Sequence, residues 1–152
     1  MDISLDMLKK LRKATGVGVS DCRAALEDAK GDYVKAEKFL TVRGIEKAGK
    51  IAGKETSAGL VESYVHATGK VGVLVELRCE TDFVARTDDF RHLAHELALQ
   101  VAAMNPKNVS QLLKSPSIRD ASLSVESLVK QVIAKVGENI TVASFARIQI
   151  AS

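Results

Sequence analysis

Alternation of apolar and polar residues marks one strand of this chain plainly. Between residues 71 and 79 every second position is apolar, and these positions are Val71, Val73, Val75, Leu77 and Cys79. A period of two residues is typical of a strand with one buried face. Residues 59–67 can form an antiparallel partner, with residues 68–70 (Thr-Gly-Lys) as a tight turn. The pattern therefore predicts a β-hairpin.

Helical spacing of apolar residues dominates the first 44 positions. The first predicted helix ends near Gly16. Ser20 is predicted to cap a second helix, and Asp32 to start a third in which Gly44 offers a stop or a kink. Residues 1–44 are therefore predicted to form a three-helix domain.

A segment rich in lysine and alanine, residues 45–57, follows and suits a mobile helical tail or linker. The remaining residues, 58–152, add to the hairpin a helix from Thr87 to Asn105 and another over 126–136, capped by Gly137. A last strand begins at Ile140, and residues 107–125 read as a serine-rich connector. The predicted fold class is α+β, with a helical bundle followed by a small antiparallel three-stranded sheet and packed helices.

Composition and charge narrow the function classes. The chain has 152 residues, 46% of them hydrophobic and 27% charged, which suits one or two small domains with an ordinary core. No stretch approaches the roughly 18 consecutive apolar residues that span a bilayer, so a cytosolic protein without membrane contact is expected. The net charge of +3 is concentrated in residues 1–54, where 12 basic residues face 8 acidic ones. Because only 4% of residues are aromatic, no direct nucleic-acid binding is expected.

Residues that could carry catalytic chemistry are sparse. Cys22 and Cys79 belong to no Cys-x-x-Cys pair and are predicted to be reduced, packed thiols. His92 and His95 lie three apart on one predicted helix, which superficially resembles a metal pair, but no third ligand is apparent. The sequence therefore predicts no metal and no cofactor, although a metal hydrolase built on this pair stays an alternative.

The segment ELRCETDFVAR, residues 76–86, places an aspartate and an aromatic side chain where the second predicted strand stops. An apolar ring just past a sheet edge either folds back into the core or points outward as an anchor for a partner. Composition alone favours the core for Phe83, since most phenylalanines are packed.

Three motifs carry a resemblance to a known family. LRKATGVGVSDCRAAL at residues 11–26, ETDFVAR at 80–86 and KVGENI at 135–140 resemble bacterial translation elongation factor Ts. The resemblance spans nearly the whole chain and implies an N-terminal bundle similar to ubiquitin-associated domains. It also implies a guanine nucleotide exchange factor, without covalent chemistry, for elongation factor Tu, the GTPase that carries aminoacyl-tRNA to the ribosome.

The resemblance assigns two partner-binding segments. The first would enter the GTPase near its magnesium site, displace the metal and loosen the hold on GDP; its residues are Thr81, Asp82, Phe83 and Val84. With this resemblance, Phe83 is expected to point outward. The second would dock the N-terminal bundle on the same GTPase; its residues are Arg12, Gly16, Val17, Gly18 and Val19. The loop glycines could equally serve only the turn between two helices.

Departures from the family pattern concern three residues and the length. Arg78 stands where asparagine is common, Arg23 where lysine is usual, and Ala24 where the family is normally polar. The chain holds one copy of the core module with a short connector, which predicts a homodimer formed through the sheet. The expected partner is elongation factor Tu, both GDP-bound and nucleotide-free. An adaptor whose bundle binds ubiquitin-like or other peptides is the rival hypothesis.

Overall fold

A computed structural model describes residues 2–150, and the fold is α+β as predicted. Met1 and residues 151–152, at the ends of the two predicted domains, lie outside the described residues. Residues 2–150 form seven helices and three strands: α1 Leu5–Thr15, α2 Val19–Asp28, α3 Tyr33–Ile51, β1 Ala58–Val65, β2 Val71–Cys79, α4 Asp82–Ala85, α5 Asp88–Met104, α6 Val109–Lys114, α7 Val125–Val136 and β3 Ile140–Gln149. None of these helices combines the length and the apolar character that crossing a bilayer requires.

Helix α2 starts one residue before the predicted cap. Gly18 occupies the N-cap position in an extended conformation, and its carbonyl accepts a hydrogen bond of 3.0 Å from the Cys22 backbone N–H. The prediction that Ser20 caps this helix is therefore wrong, because Ser20 lies inside the first turn. Glycine is favourable at this position because it readily adopts the extended backbone of an N-cap, and an N-cap without a capping side chain costs little when the residue is glycine.

Helix α3 begins at the predicted place and continues past Gly44. Asp32 accepts a hydrogen bond from the Lys35 backbone N–H at 3.1 Å, which caps the helix. The helix then passes through Gly44 and continues to Ile51, so Gly44 does not stop it. The division into residues 1–44, 45–57 and 58–152 and the likeness to ubiquitin-associated domains stay predictions.

The three strands form one antiparallel sheet, as predicted, and their order is β1-β2-β3. The inner face of β2 is buried through Val73, Val75, Leu77 and Cys79. These side chains share one core with the apolar faces of α5 and α7, including Phe90 and Ile133. A second, smaller core fills the bundle of α1, α2 and the first half of α3, around Leu11 and Leu26.

Helix α3 connects the two cores. Its first half contributes Ala36 and Leu40 to the bundle core, and its second half contributes Ala48 to the core beneath the sheet. A Cβ atom added at Gly44 would lie 3.3 Å from the Cβ of Ala134 on α7. The two helices therefore approach closely where Gly44 and Ala134 face each other, and this packing offsets the roughly 1 kcal/mol that glycine costs in a helix.

The connector between α5 and α7 is tied to the core by one buried side chain. Gln100, 3% exposed on α5, donates from Nε2 to the carbonyl oxygen of Pro116 at 2.9 Å. Its Oε1 accepts a hydrogen bond of 3.0 Å from the backbone N–H of Ile118. The short helix α6 lies within this connector.

Replacing Gly44 with leucine should destabilise the protein, because the new side chain cannot fit between α3 and α7. Overpacking of this kind costs about 1–3 kcal/mol, more than leucine gains over glycine in a helix. Chemical denaturation measures the difference in unfolding free energy. Gly49→Leu is the matched control, since Gly49 lies on the same helix with open space around it, and it should raise stability by up to about 1 kcal/mol. Equal stabilisation by both variants would refute the close approach.

Candidate functional site

The turn after β2 holds Phe83 outward. Thr81 caps the one-turn helix α4, because its Oγ1 accepts a hydrogen bond of 3.3 Å from the Val84 backbone N–H. Val84 and Ala85 point into the core and are 4% and 7% exposed, whereas Phe83 is 81% exposed. The outward orientation expected for Phe83 is thus the observed one, and its neighbour Val84 fixes the turn to the core.

A carboxylate from the far end of the chain holds this turn. Glu138, which follows α7, accepts two hydrogen bonds from Thr81: 3.0 Å from the backbone N–H to Oε1 and 2.8 Å from the hydroxyl to Oε2. Next to it, the Asn139 backbone N–H donates to Glu80 at 2.6 Å, and its side-chain amide donates to the Lys54 carbonyl at 2.8 Å. Sequence reasoning assigned no role to Glu138; the signal available was the KVGENI motif itself.

Cys79 supports the same turn as a neutral thiol. Its Sγ donates a hydrogen bond of 3.1 Å to the Thr81 carbonyl. Burial raises the pKa of the Cys79 thiol, and the nearby charge of Glu138 acts in the same direction. Burial likewise raises the pKa of Cys22. Both thiols are free and fully buried, so both pack as predicted.

The second predicted segment forms the loop between α1 and α2. Gly16 has a left-handed backbone (φ 70°), and its N–H donates to the Arg12 carbonyl at 2.8 Å, so the turn itself requires glycine there. Gly18 has an ordinary φ and open space around it, so the turn does not require glycine at that position. Val17 packs against the bundle core, while Arg12 and Val19 are exposed.

The two predicted segments lie on separate elements, and the end of α7 touches both. A Cβ atom added at Gly16 would lie 2.7 Å from Cε of Lys135, so the Lys135 side chain rests against the loop. Its ammonium group lies 3.7 Å from Asp89 at the start of α5. Three residues after Lys135, Glu138 binds Thr81.

The histidine pair on α5 is exposed. The ring of His95 meets Tyr64 edge-on at 6.4 Å between centroids. Within residues 2–150, no three histidine, cysteine, aspartate or glutamate side chains lie close enough together to hold a metal ion.

The three residues that depart from the family pattern lie on exposed surfaces. Arg78 donates from Nε to Glu76 at 2.6 Å on the outer side of β2, and this hydrogen bond lowers the pKa of the Glu76 carboxyl. Arg23 and Ala24 lie on α2. The Arg78 side chain is thus engaged with its own strand.

An exposed aromatic ring on a turn that is capped, buried on one side and tied by a carboxylate, on an α+β scaffold, is the geometry expected of a protein-interaction site. The sequence model for elongation factor Ts matches residues 80–152. Elongation factor Ts of Fervidobacterium nodosum is 39% identical over 195 aligned positions, which cover 99% of each chain. Elongation factor Ts of Thermotoga neapolitana is 39% identical, covering 99% of this chain and 98% of that protein, and that of Leptospira biflexa is 40% identical with the same coverage.

The chain therefore belongs to the elongation factor Ts family. This membership makes it a translation elongation factor and implies the role of nucleotide exchange factor for elongation factor Tu.

Truncating Phe83 to alanine should leave the free energy of unfolding within about 0.5 kcal/mol of the original, because the ring contributes little to the core. Phe90→Ala is the matched control, since Phe90 is fully buried and its loss should cost about 3–5 kcal/mol. Urea denaturation of both variants measures this. A loss of several kcal/mol in the Phe83 variant would place its ring in the core.

Proposed function

We propose that this chain accelerates GDP release from elongation factor Tu by inserting Phe83 into the GTPase beside its magnesium site. The observation that carries the proposal is the 81% exposure of Phe83 on a turn whose neighbours are fixed. Large apolar rings exposed in this way are costly to leave in water and dominate binding energy when a partner buries them.

The support beneath Phe83 favours tight insertion. Thr81 caps α4, and Val84 is buried beneath it, so the backbone of the turn is already ordered before the partner arrives. Ordering a loop on binding subtracts from affinity, and a preformed turn avoids that loss. Asp82 is exposed in the first turn of α4, beside Phe83, where it can contact polar groups of the GTPase.

Displacing the magnesium ion weakens the grip of the GTPase on the diphosphate. Because the exchange factor and the nucleotide then bind one protein with opposing effects, each lowers the affinity of the other by the same factor. Nucleotide that rebinds therefore lowers the affinity for the exchange factor and favours its release. The chain forms no covalent bond in this cycle, and it acts in the cytoplasm without contact to nucleic acid or membrane.

The loop between α1 and α2 supplies the second contact with the GTPase in this proposal. Arg12 and Val19 are exposed there, and Gly18 leaves open space through which a partner can approach the backbone. Contacts distant from the nucleotide stabilise all bound states alike, so this surface governs affinity more than the rate of release.

Release of fluorescent GDP from elongation factor Tu tests the proposal directly. The unmodified chain should accelerate release strongly, and Phe83→Ala should lower the maximal rate at least about ten-fold while remaining folded. Phe39→Ala is the matched control, because Phe39 is a partly exposed ring on α3, and it should exchange at the original rate. Unchanged exchange by the Phe83 variant would refute the insertion mechanism.

The same titration separates the two contact surfaces. Val19→Asp should raise the concentration needed for half-maximal exchange while leaving the maximal rate nearly intact. A fall in the maximal rate alone would argue against a purely docking role for this loop.

We further propose that the chain forms a homodimer through the outer face of its sheet. Val65, Leu74 and Ile148 are 67%, 51% and 76% exposed on that face. Val65 pairs with Gly72, which pairs in turn with Ile148, and Leu74 lies two positions along on the same side. A clustered apolar surface of this kind is stabilised when a second copy covers it.

Light scattering at micromolar concentration should therefore report a dimer. Combining Leu74→Lys with Ile148→Lys should yield a folded monomer, since two buried charges on each copy would face the partner. Val34→Lys is the control, because Val34 is 58% exposed but lies on α3 away from the sheet, and it should stay dimeric. A monomer before any substitution would refute the dimer.

A further inference from the structure

Residues at the end of α7 and just after it contact both of the surfaces that the proposed exchange factor presents to its partner. Lys135 lies against Gly16 in the loop between α1 and α2, and Glu138 binds Thr81 in the turn that carries Phe83. We propose that Glu138 is a positioning residue for exchange, which aims Phe83 by holding Thr81. This inference rests on the proposed function and assigns a role to a residue outside the two predicted segments.

Every polar group of Thr81 is engaged. Its N–H and hydroxyl both donate to the Glu138 carboxylate, its Oγ1 accepts from Val84, and its carbonyl accepts from Cys79. Hydrogen bonds to a charged group are shorter and stronger than those between neutral groups. With both oxygens of Glu138 occupied by one residue, Thr81 has little freedom to rotate, and the direction of α4 is set with it.

Glu138 is itself held in place by the helix before it. It follows Gly137, whose left-handed backbone ends α7 and whose N–H donates to Ile133 at 2.8 Å. The next residue, Asn139, is 6% exposed and ties the same turn to Glu80 and to the carbonyl of Lys54. The position of Thr81 therefore depends, through this turn, on the position of α7.

Helix α7 also holds the N-terminal bundle in position. It packs against α3 where Gly44 meets Ala134, and Lys135 one residue later touches the loop at Gly16. The spacing between that loop and Phe83 is thus set by one rigid element. A partner that must accept both surfaces at once gains from this arrangement, because no domain motion has to be frozen on binding.

Removing the Glu138 carboxylate should loosen the turn without emptying the core, since Val84 and Ala85 stay buried. Glu138→Ala should lower the affinity for nucleotide-free elongation factor Tu by about ten-fold. It should lower the maximal exchange rate by about the same factor. Glu138→Gln keeps one acceptor oxygen and should recover part of the loss. Glu126→Ala, at an exposed carboxylate in the first turn of α7, is the control and should match the original chain.

A double-mutant cycle with Phe83→Ala distinguishes positioning from general structural support. The measured quantity is the dissociation constant for nucleotide-free elongation factor Tu. If Glu138 acts through Phe83, then Glu138→Ala should change that constant less than two-fold once Phe83 has been truncated. Effects that multiply independently would overturn the positioning role. If the alanine variant does not fold, the cycle with Glu138→Gln decides by the same criterion.

The proposal and the function on which it rests fail in different ways. Phe83→Ala without effect on affinity or exchange would refute the insertion mechanism, whatever Glu138 does. Phe83→Ala with a large effect, together with an inert Glu138→Ala, would leave the exchange function standing and refute the positioning role.

Discussion

The packing of α3 against α7 is the interaction on which the rest of the molecule depends. The bundle of α1, α2 and the first half of α3 buries few large side chains, and a unit of that size is marginal on its own. Helix α3 has 19 residues, or about 28 Å at about 1.5 Å per residue, which is long enough to serve as a wall of both cores. The closeness of the two helices at Gly44 and Ala134 turns two small cores into one structure with a defined geometry.

Elements governed by local rules could be predicted from the sequence. Strict alternation defined β2 at both ends, and Thr87, Asn105 and Gly137 marked helix termini that the structure confirms. The errors arose where two local rules competed or where a distant element intervened. Ser20 is a better capping residue than Gly18, yet Gly18 occupies the N-cap position of α2. Gly44 was predicted to stop or kink the helix; the helix continues through it to Ile51, at the point where Gly44 packs against α7.

The candidate site was predictable only in part. A one-turn helix such as α4 is too short to show a period, so its presence could not be read from spacing. The outward direction of Phe83 came from the family resemblance, because composition alone favoured the core. Glu138 lies 57 residues from Thr81, and nothing local to either residue predicts their contact. Long-range polar contacts of this kind require the fold before they can be found.

The connector between α5 and α7 is short, and Gln100 satisfies the backbone polar groups that it brings near the core. Relatives align over 195 positions with nearly complete coverage of both chains, so they hold an internal segment that these 152 residues lack. The family resemblance predicts that the shortening lies in the connector between α5 and α7, where a loop must leave polar backbone near the core. Gln100 satisfies that backbone, because its buried amide pairs with Pro116 and Ile118, and Arg119 adds an ion pair to Glu96 at 2.9 Å. With the connector closed in this way, α7 keeps its place against both α3 and α5, and the turn that holds Thr81 stays anchored in a chain without the longer segment.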